Sequence, residues 1–342
     1  MTVLGATTWK ENIAPDEDAR FRGFADELRA MQRARSEKQG TGRALHRKGH
    51  AGVRAELVIG DVPEELRVGP FATKRSWPAY VRFSNGAGGH QPDKMPDVRG
   101  VAVKIVGVPG KKVIVGLEDE LTQDFLFIHT PATPVTGPDE FLKLVRAVKD
   151  GPVRAFPRLI GSFGLGRAFT LIRRIAAMPV VESMAETRFF TAAPLRFGPH
   201  AAKLDLVPVD VPPSSSPRAG KDSLRDDLAT RLRLAPLTMA VRVQLFRDET
   251  TTPIEDSSVV WPESQTPFIE LARLVIPRQD IDSAPGRRVE EYVQSLSFDP
   301  WHAIEDLRPL GAMMRARSHA YRESSIERRA ASEPNGSETF EG

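Results

Sequence analysis

Residues 80–107, YVRFSNGAGGHQPDKMPDVRGVAVKIVG, decide the fold class. Tyr80-Val81-Arg82-Phe83-Ser84 alternates apolar and polar side chains, the two-residue period of a strand with one face on a core. Asn85-Gly86-Ala87-Gly88-Gly89 breaks that run with residues that tolerate turns, and Gly100–Gly107 begins a second strand. Working outward, Val53, Ala55, Leu57 and Ile59 alternate with Arg54, Glu56 and Val58. Lys112–Leu117, Asp124–His129, Ala202–Pro208, Met239–Phe246 and Glu270–Ile276 have the same texture. About eight short strands separated by Gly- and Pro-rich turns such as Pro109-Gly110 predict an antiparallel barrel or sandwich.

Helices flank these strands. Residues 16–38 carry Phe21, Phe24, Leu28 and Met31 at helical spacing, and Pro138-Asp139-Glu140 opens a helix that continues through Glu140–Lys149. Residues 152–187 hold further helices, loosened by Gly161, Gly164 and Gly166; 211–222 reads as an exposed loop, and Ala312–Arg329 as the last strong helix. The expected organisation is an α+β chain: an N-terminal helical arm over 1–40, one domain over 41–330, and a disordered tail over 331–342 rich in Ser, Gly and Glu. Hydrophobic residues at 40% and charged residues at 27% belong to a globular chain. The 48 Lys and Arg against 45 Asp and Glu leave a net charge of only +3, which gives no argument for a nucleic-acid partner. The absence of cysteine excludes disulfides, thiolate metal sites and Cys nucleophiles. No apolar run reaches the ~18 residues of a membrane span, and the first residues show no secretory signal, so the expected location is the cytoplasm, with no integral membrane association.

Several chemistries have no residues to carry them. GSFGLG at 161–166 lacks the Lys-Ser/Thr of a phosphate-binding loop and reads as a helix junction. Among seven histidines only His46 and His50 are four apart, and Gly49 with the strand after it argues against a helical zinc pair. The last helix says more. Arg317 and Tyr321 are four apart and share one face, and a guanidinium beside a phenol favours the anionic oxygen, a ligand for ferric iron. A surface Arg stacked on a Tyr competes with that reading.

Three further segments resolve the competition when taken in order: Arg43-Ala44-Leu45-His46-Arg47-Lys48-Gly49, Arg82-Phe83-Ser84-Asn85-Gly86, and Asp97-Val98-Arg99-Gly100-Val101-Ala102-Val103-Lys104. Followed by Arg317-x-x-x-Tyr321, they resemble the haem catalase family. Thr122-Gln123-Asp124-Phe125, Pro194-Leu195-Arg196-Phe197-Gly198, Trp261-Pro262-Glu263, Phe298-Asp299-Pro300-Trp301-His302 and Arg308-Pro309-Leu310-Gly311 resemble its small catalase-related subgroup. The resemblance covers residues 40–330 and implies a large antiparallel β-barrel with flanking helices, and haem b as the cofactor.

It also implies roles. His46 matches the distal catalytic His, which moves a proton between the two peroxide oxygens, and Ser84 the serine that orients it. Arg43, Arg82 and Arg328 match arginines that clamp haem propionates. Tyr321 matches the axial ligand of the haem iron and Arg317 the residue that keeps it anionic. Phe141 falls where the family stacks a Phe on the haem edge, although a core Phe at a helix start reads nearly as well.

One departure stands out. The family carries an Asn thirteen residues before that Phe; in this register the position is Ile128, with His129 one step away as the alternative, and no Asn occurs between Asn85 and Asn335. Leu45, Ile128 and His129 are therefore the candidates to line the distal pocket. A less polar pocket suits organic hydroperoxides, fatty-acid hydroperoxides among them, better than hydrogen peroxide. The expected activity is a haem peroxidase working through a ferryl intermediate, with a small peroxide and an organic electron donor as partners. A fatty-acid hydroperoxide isomerase or lyase, a true catalase and a non-enzymatic haem-binding protein are the alternatives. Dimers and tetramers are common in that family, which makes a homo-oligomer the expected assembly.

Overall fold

The computed structural model describes residues 5–72, 75–148, 152–214 and 220–340. Its strands are β1 (Gly49–Ile59), β2 (Ser76–Asn85), β3 (Arg99–Val106), β4 (Thr122–Ile128), β5 (Phe189–Phe190), β6 (Leu195–Phe197), β7 (His200–Asp210), β8 (Leu237–Leu245) and β9 (Ile269–Ile276). They hydrogen-bond in the order β5-β4-β3-β2-β1-β9-β8-β7-β6, every ladder antiparallel. The two residues of β5 bridge β4 (Ile128 opposite Phe190) and β7 (Phe189 opposite Leu206). That bridge closes eight strands into a barrel and leaves β6 as a short addition to β7. Closure pairs the strand edges that would otherwise be open to aggregation.

The two-residue period sorts every strand into an inner and an outer face. Val81 and Phe83 of β2, Val101 and Val103 of β3, and Phe125 and Phe127 of β4 belong to the core that fills the barrel. With the interior filled by side chains, any site must lie outside it. Tyr80, Arg82 and Ser84 face outward on β2, and the site is built on Arg82 and Ser84.

The helices are α1 (Glu17–Gln39), α2 (Pro138–Val148), α3 (Pro152–Phe163), α4 (Leu165–Ala176), α5 (Ser223–Leu234), α6 (Ala284–Ser295) and α7 (Ala312–Glu327). The N-terminal arm lies along α7: Phe21 is buried, Arg33 holds Glu327 through two hydrogen bonds of 2.9 and 2.6 Å, and Arg29 pairs with Glu323. Among the described residues, no helix is long and apolar enough to cross a membrane.

The structure departs from the sequence reading at Lys112–Leu117, at α5 and α6, and at β5 and β6, which lie outside the expected strands. Lys112–Leu117 is not a strand: Lys112 folds its ammonium onto the Val108 and Gly110 carbonyls, Gly116 takes φ +86°, and only a single bridge to Ile304 forms. Helices α5 and α6 went unread. α5 buries Leu224, Leu228 and Leu232 at steps of four, whereas α6 buries only Val289 and Val293 behind a Ser283 cap that accepts from the Gly286 N–H at 3.1 Å. Residues 331–340 lie against the rest of the chain. Ala331 bridges to Leu296, Phe340 packs edge-on to Tyr80, and Glu333 is buried. Lys149, 215–219 of the expected loop, and 341–342 lie outside the described residues.

Glu333 explains why the tail docks. Lys104 on β3 is fully buried and donates to Asp124 Oδ1 (2.7 Å) and Oδ2 (2.8 Å) and to Glu333 Oε2 (2.5 Å). Thr122 and Ser297 hydroxyls donate to the same carboxylate of Glu333 at 2.8 and 2.7 Å. Lys104→Met leaves two buried carboxylates without their cation, and such losses cost about 3–5 kcal/mol. Urea unfolding is expected to show a destabilisation of that size, and an unchanged midpoint would show that the network adds nothing to stability.

Candidate active site

The site begins as one cross-strand row on the outer face. Ser84 of β2 is opposite Gly100 of β3, Gly100 is opposite Ile128 of β4, and Ile128 is opposite Phe190 of β5. Residues directly opposite in a ladder share a face and sit about 5 Å apart. The segment Arg43–Lys48 crosses above this row. The His46 N–H donates to the Gly86 carbonyl (2.9 Å) and the Arg47 N–H to that of Ala87 (3.2 Å). Arg82 Nη2 donates to the His46 carbonyl at 2.8 Å, and His46 Nδ1 pairs with Ser84 Oγ at 3.0 Å. Gly100 forms the floor: a Cβ there would stand 2.7 Å from His46 Cε1, so any other residue would displace the ring. His46 has φ +52°, a left-handed conformation that costs a residue with a Cβ about 1 kcal/mol or more and persists only where the surroundings enforce it. With Nδ1 engaged, Nε2 has no hydrogen-bond partner among the described residues and is the nitrogen left for a ligand.

The electrostatics keep this imidazole neutral. Burial, then the charges of Arg82, Arg317 and Arg43, push its pKa down to about 3. Protonation would remove the base, and it begins only near that value. The pH profile of kcat/KM for a peroxide is therefore expected to show no acid limb from His46 between about pH 5 and 8. A limb near the ordinary imidazole value of about 6.5 that disappears in His46→Ala would contradict this.

Helix α7 supplies the opposing wall. Arg317 Nη2 donates to Tyr321 Oη at 2.6 Å, with its guanidinium carbon 4.9 Å from the ring centroid. Trp301 Nε1 pins the helix by donating to the Met314 carbonyl at 2.9 Å. Phe141 of α2 is partly buried against Met313 of α7, Val135 and Leu171, so it closes the flank of that wall.

Three arginines converge between the two walls. Arg43 donates to the Gln294 and Leu296 carbonyls at 2.9 and 2.7 Å, and Arg328, one residue past the end of α7, to the Ser295 and Leu296 carbonyls at 2.8 and 2.7 Å. Arg82 Nε donates to Gln294 Oε1 at 2.8 Å. The C-terminal turn of α6, where the helix dipole is negative, thus receives all three guanidinium groups. None has a carboxylate within ion-pair distance among the described residues. Burial, with mutual repulsion in two of them, disfavours their charged forms: Arg82 is pushed down to about 9, Arg328 to about 10 by burial, and Arg43 well below its ordinary value. Buried cations this short of counter-charge fit an anionic ligand.

The sequence-derived residues separate cleanly. Arg43, His46, Arg82, Ser84, Arg317, Tyr321 and Arg328 come together, as the mutual charge effects among His46, Tyr321 and the arginines require. Leu45 adjoins His46 and is partly buried. Ile128, and not His129, occupies the row beside His46. His129 turns away: its Nδ1 accepts from the Arg99 N–H at 3.0 Å and its ring is buried. His50, the second residue of β1, pairs with Asn85 Oδ1 at 2.6 Å, and no three metal-ligating side chains gather among the described residues. Sequence reasoning missed Gln294, Gly100 as the floor, and Phe190. Gln294 gave no local signal because its helix was unread, but Gly100 lay inside a segment already singled out.

The residues fit a haem: paired propionates for the three arginines, a phenol backed by a guanidinium for iron, and an apolar row beside a neutral imidazole. The closed antiparallel barrel with its flanking helices is a catalase-like fold. Solved structures share that fold. A bacterial catalase superposes with a TM-score of 0.62 at 18% identity over 96% of this chain and 64% of its own. A fungal catalase gives 0.67 at 15% identity over 97% and 66%. Catalase A from Saccharomyces cerevisiae gives 0.64 at 13% identity over 96% and 68%. The chain spans about two-thirds of the length of those proteins. No family model and no curated protein matches it by sequence.

Proposed function

We propose that this chain is a haem b peroxidase that reduces organic hydroperoxides at the expense of a small organic donor. Haem, when bound, supplies the redox chemistry that breaks the O–O bond. The chain's residues do the rest. Arg43, Arg82 and Arg328 would hold its propionates, and Tyr321, with Arg317 on its oxygen, would offer an anionic oxygen to its iron. His46 Nε2, oriented by Ser84, takes the proton from the near peroxide oxygen and returns it to the far one, so that the leaving oxygen departs as an alcohol or water. A neutral imidazole can accept that proton at any physiological pH.

The observation that favours organic peroxides is Ile128. It stands next across the ladder from Gly100, the floor of His46, with Phe190 beyond it. This part of the pocket wall offers no side-chain amide to hold a second small polar molecule, and it presents apolar surface to an alkyl chain. Ile128→Asn is expected to raise the preference for hydrogen peroxide over a fatty-acid hydroperoxide by about tenfold, the worth of one hydrogen bond. The test is product analysis with haem-loaded protein, with and without a phenolic donor. Donor-dependent conversion of a fatty-acid hydroperoxide to its alcohol supports the proposal. Vigorous oxygen release from hydrogen peroxide would make the protein a true catalase, and donor-free conversion to a rearranged product would make it an isomerase or lyase.

A further inference from the structure

We propose that the α3–α4 hairpin seats this protein on the surface of an anionic lipid bilayer. Residues 152–178, PVRAFPRLIGSFGLGRAFTLIRRIAAM, contain five arginines and no Asp or Glu. Gly164, at φ +72°, makes the turn between the helices. The inner face is conventional: Leu159, Ala168 and Leu171 are buried against Leu144, Val135 and Met313. The outer face is also apolar. Phe156 is 58% exposed, Leu165 72%, Phe169 66%, and Val180 just beyond α4 87%. Leu165, Phe169 and Arg173 follow one another at steps of four, so a single stripe of α4 carries two large apolar side chains and then a cation. Arg173 and Arg174 are both exposed, and Arg174 Nη1 donates to the Pro134 carbonyl at 3.1 Å.

Large exposed aliphatic and aromatic side chains rimmed by arginine, on helices of twelve residues each, suit a helix lying in the interface of a membrane and are too short to span one. The charge chooses among occupants. Each arginine near an anionic leaflet is attracted to it, and the apolar stripe gains by burial among acyl chains. Glu140 neutralises Arg167, but Arg173 and Arg174 have no acidic partner among the described residues of the hairpin, so a symmetric contact with a second copy of the chain would set two net-positive surfaces against each other and is disfavoured by like charge. The proposal is independent of the peroxidase reading, but it places the flank formed by Phe141 and Met313 next to the lipid.

The test is flotation of the full-length protein with phosphatidylcholine vesicles and with vesicles that also contain phosphatidylglycerol. Binding is expected only with phosphatidylglycerol, weakening as salt rises. The exposed double variants L165S/F169S and R173E/R174E should each lower partitioning by about tenfold or more, with haem uptake and thermal midpoint unchanged. Three results would overturn the proposal: no flotation of the wild-type protein with anionic vesicles at low salt, binding that ignores phosphatidylglycerol, or binding that survives both variants. Sedimentation showing a dimer that L165S/F169S dissociates would instead assign the patch to a subunit contact and overturn it as well.

Discussion

Tyr321→Phe is expected to weaken haem binding by at least about tenfold, the lower end of what losing even a supporting group costs a metal site, and to abolish the tyrosinate signature in the absorption spectrum. The substitution keeps the ring, so the helix and the stacking of Arg317 on that ring survive. What disappears is the oxygen that receives the 2.6 Å hydrogen bond from Arg317. The propionate clamp remains, so some haem still enters, held at its edge and without its axial anion. Haem titration followed by competition with apomyoglobin measures the loss. A Phe variant with the wild-type spectrum and the wild-type haem affinity would refute the assignment of Tyr321 as ligand.

His46→Ala is expected to act on the other side of the site and in the opposite way. Haem uptake should persist, because His46 touches Ser84 and backbone groups and none of the three clamping arginines through its ring. Peroxide turnover should fall by about 10²- to 10⁴-fold, the usual contribution of a positioned acid–base group. Ser84→Ala is the graded companion: it frees Nδ1 but leaves the base, so its loss should be smaller, about tenfold, the worth of one hydrogen bond. Stopped-flow mixing of haem-loaded protein with a fatty-acid hydroperoxide reads both. Turnover that survives His46→Ala would sink the proton-transfer role.

The parts of this fold that were legible from the sequence are those whose signal is local. The alternation of Tyr80–Ser84 and Gly100–Gly107 names the strands, and the same alternation assigns Arg82 and Ser84 to the outer face once the core side is known. Arg317 and Tyr321 declare their contact by spacing alone. Lys112–Leu117 misled because Val113-Ile114-Val115 is a β-branched apolar run while Lys112 and Gly116 commit the backbone to turns. α6 was hidden by the sparseness of its buried face, and with it the carbonyls of Gln294, Ser295 and Leu296 that receive arginines from the far ends of the chain. The choice between Ile128 and His129 needed the register of β3 against β4, a long-range fact with no local signal. The docking of residues 331–340 likewise joins distant parts of the chain: Glu333 and its partner Lys104 are 229 positions apart.

The central claim is that Tyr321, the three arginines and His46 form one haem site on the outside of the barrel. The most direct test is to add haem to the purified chain, record the absorption spectrum, and repeat the titration with the Arg82→Ala variant. A stoichiometric, high-spin ferric spectrum of the tyrosinate-ligated type, with affinity reduced in the variant, is the predicted result. A folded chain that takes up no haem, or that takes it up with an imidazole-type spectrum indifferent to Arg82, would contradict it.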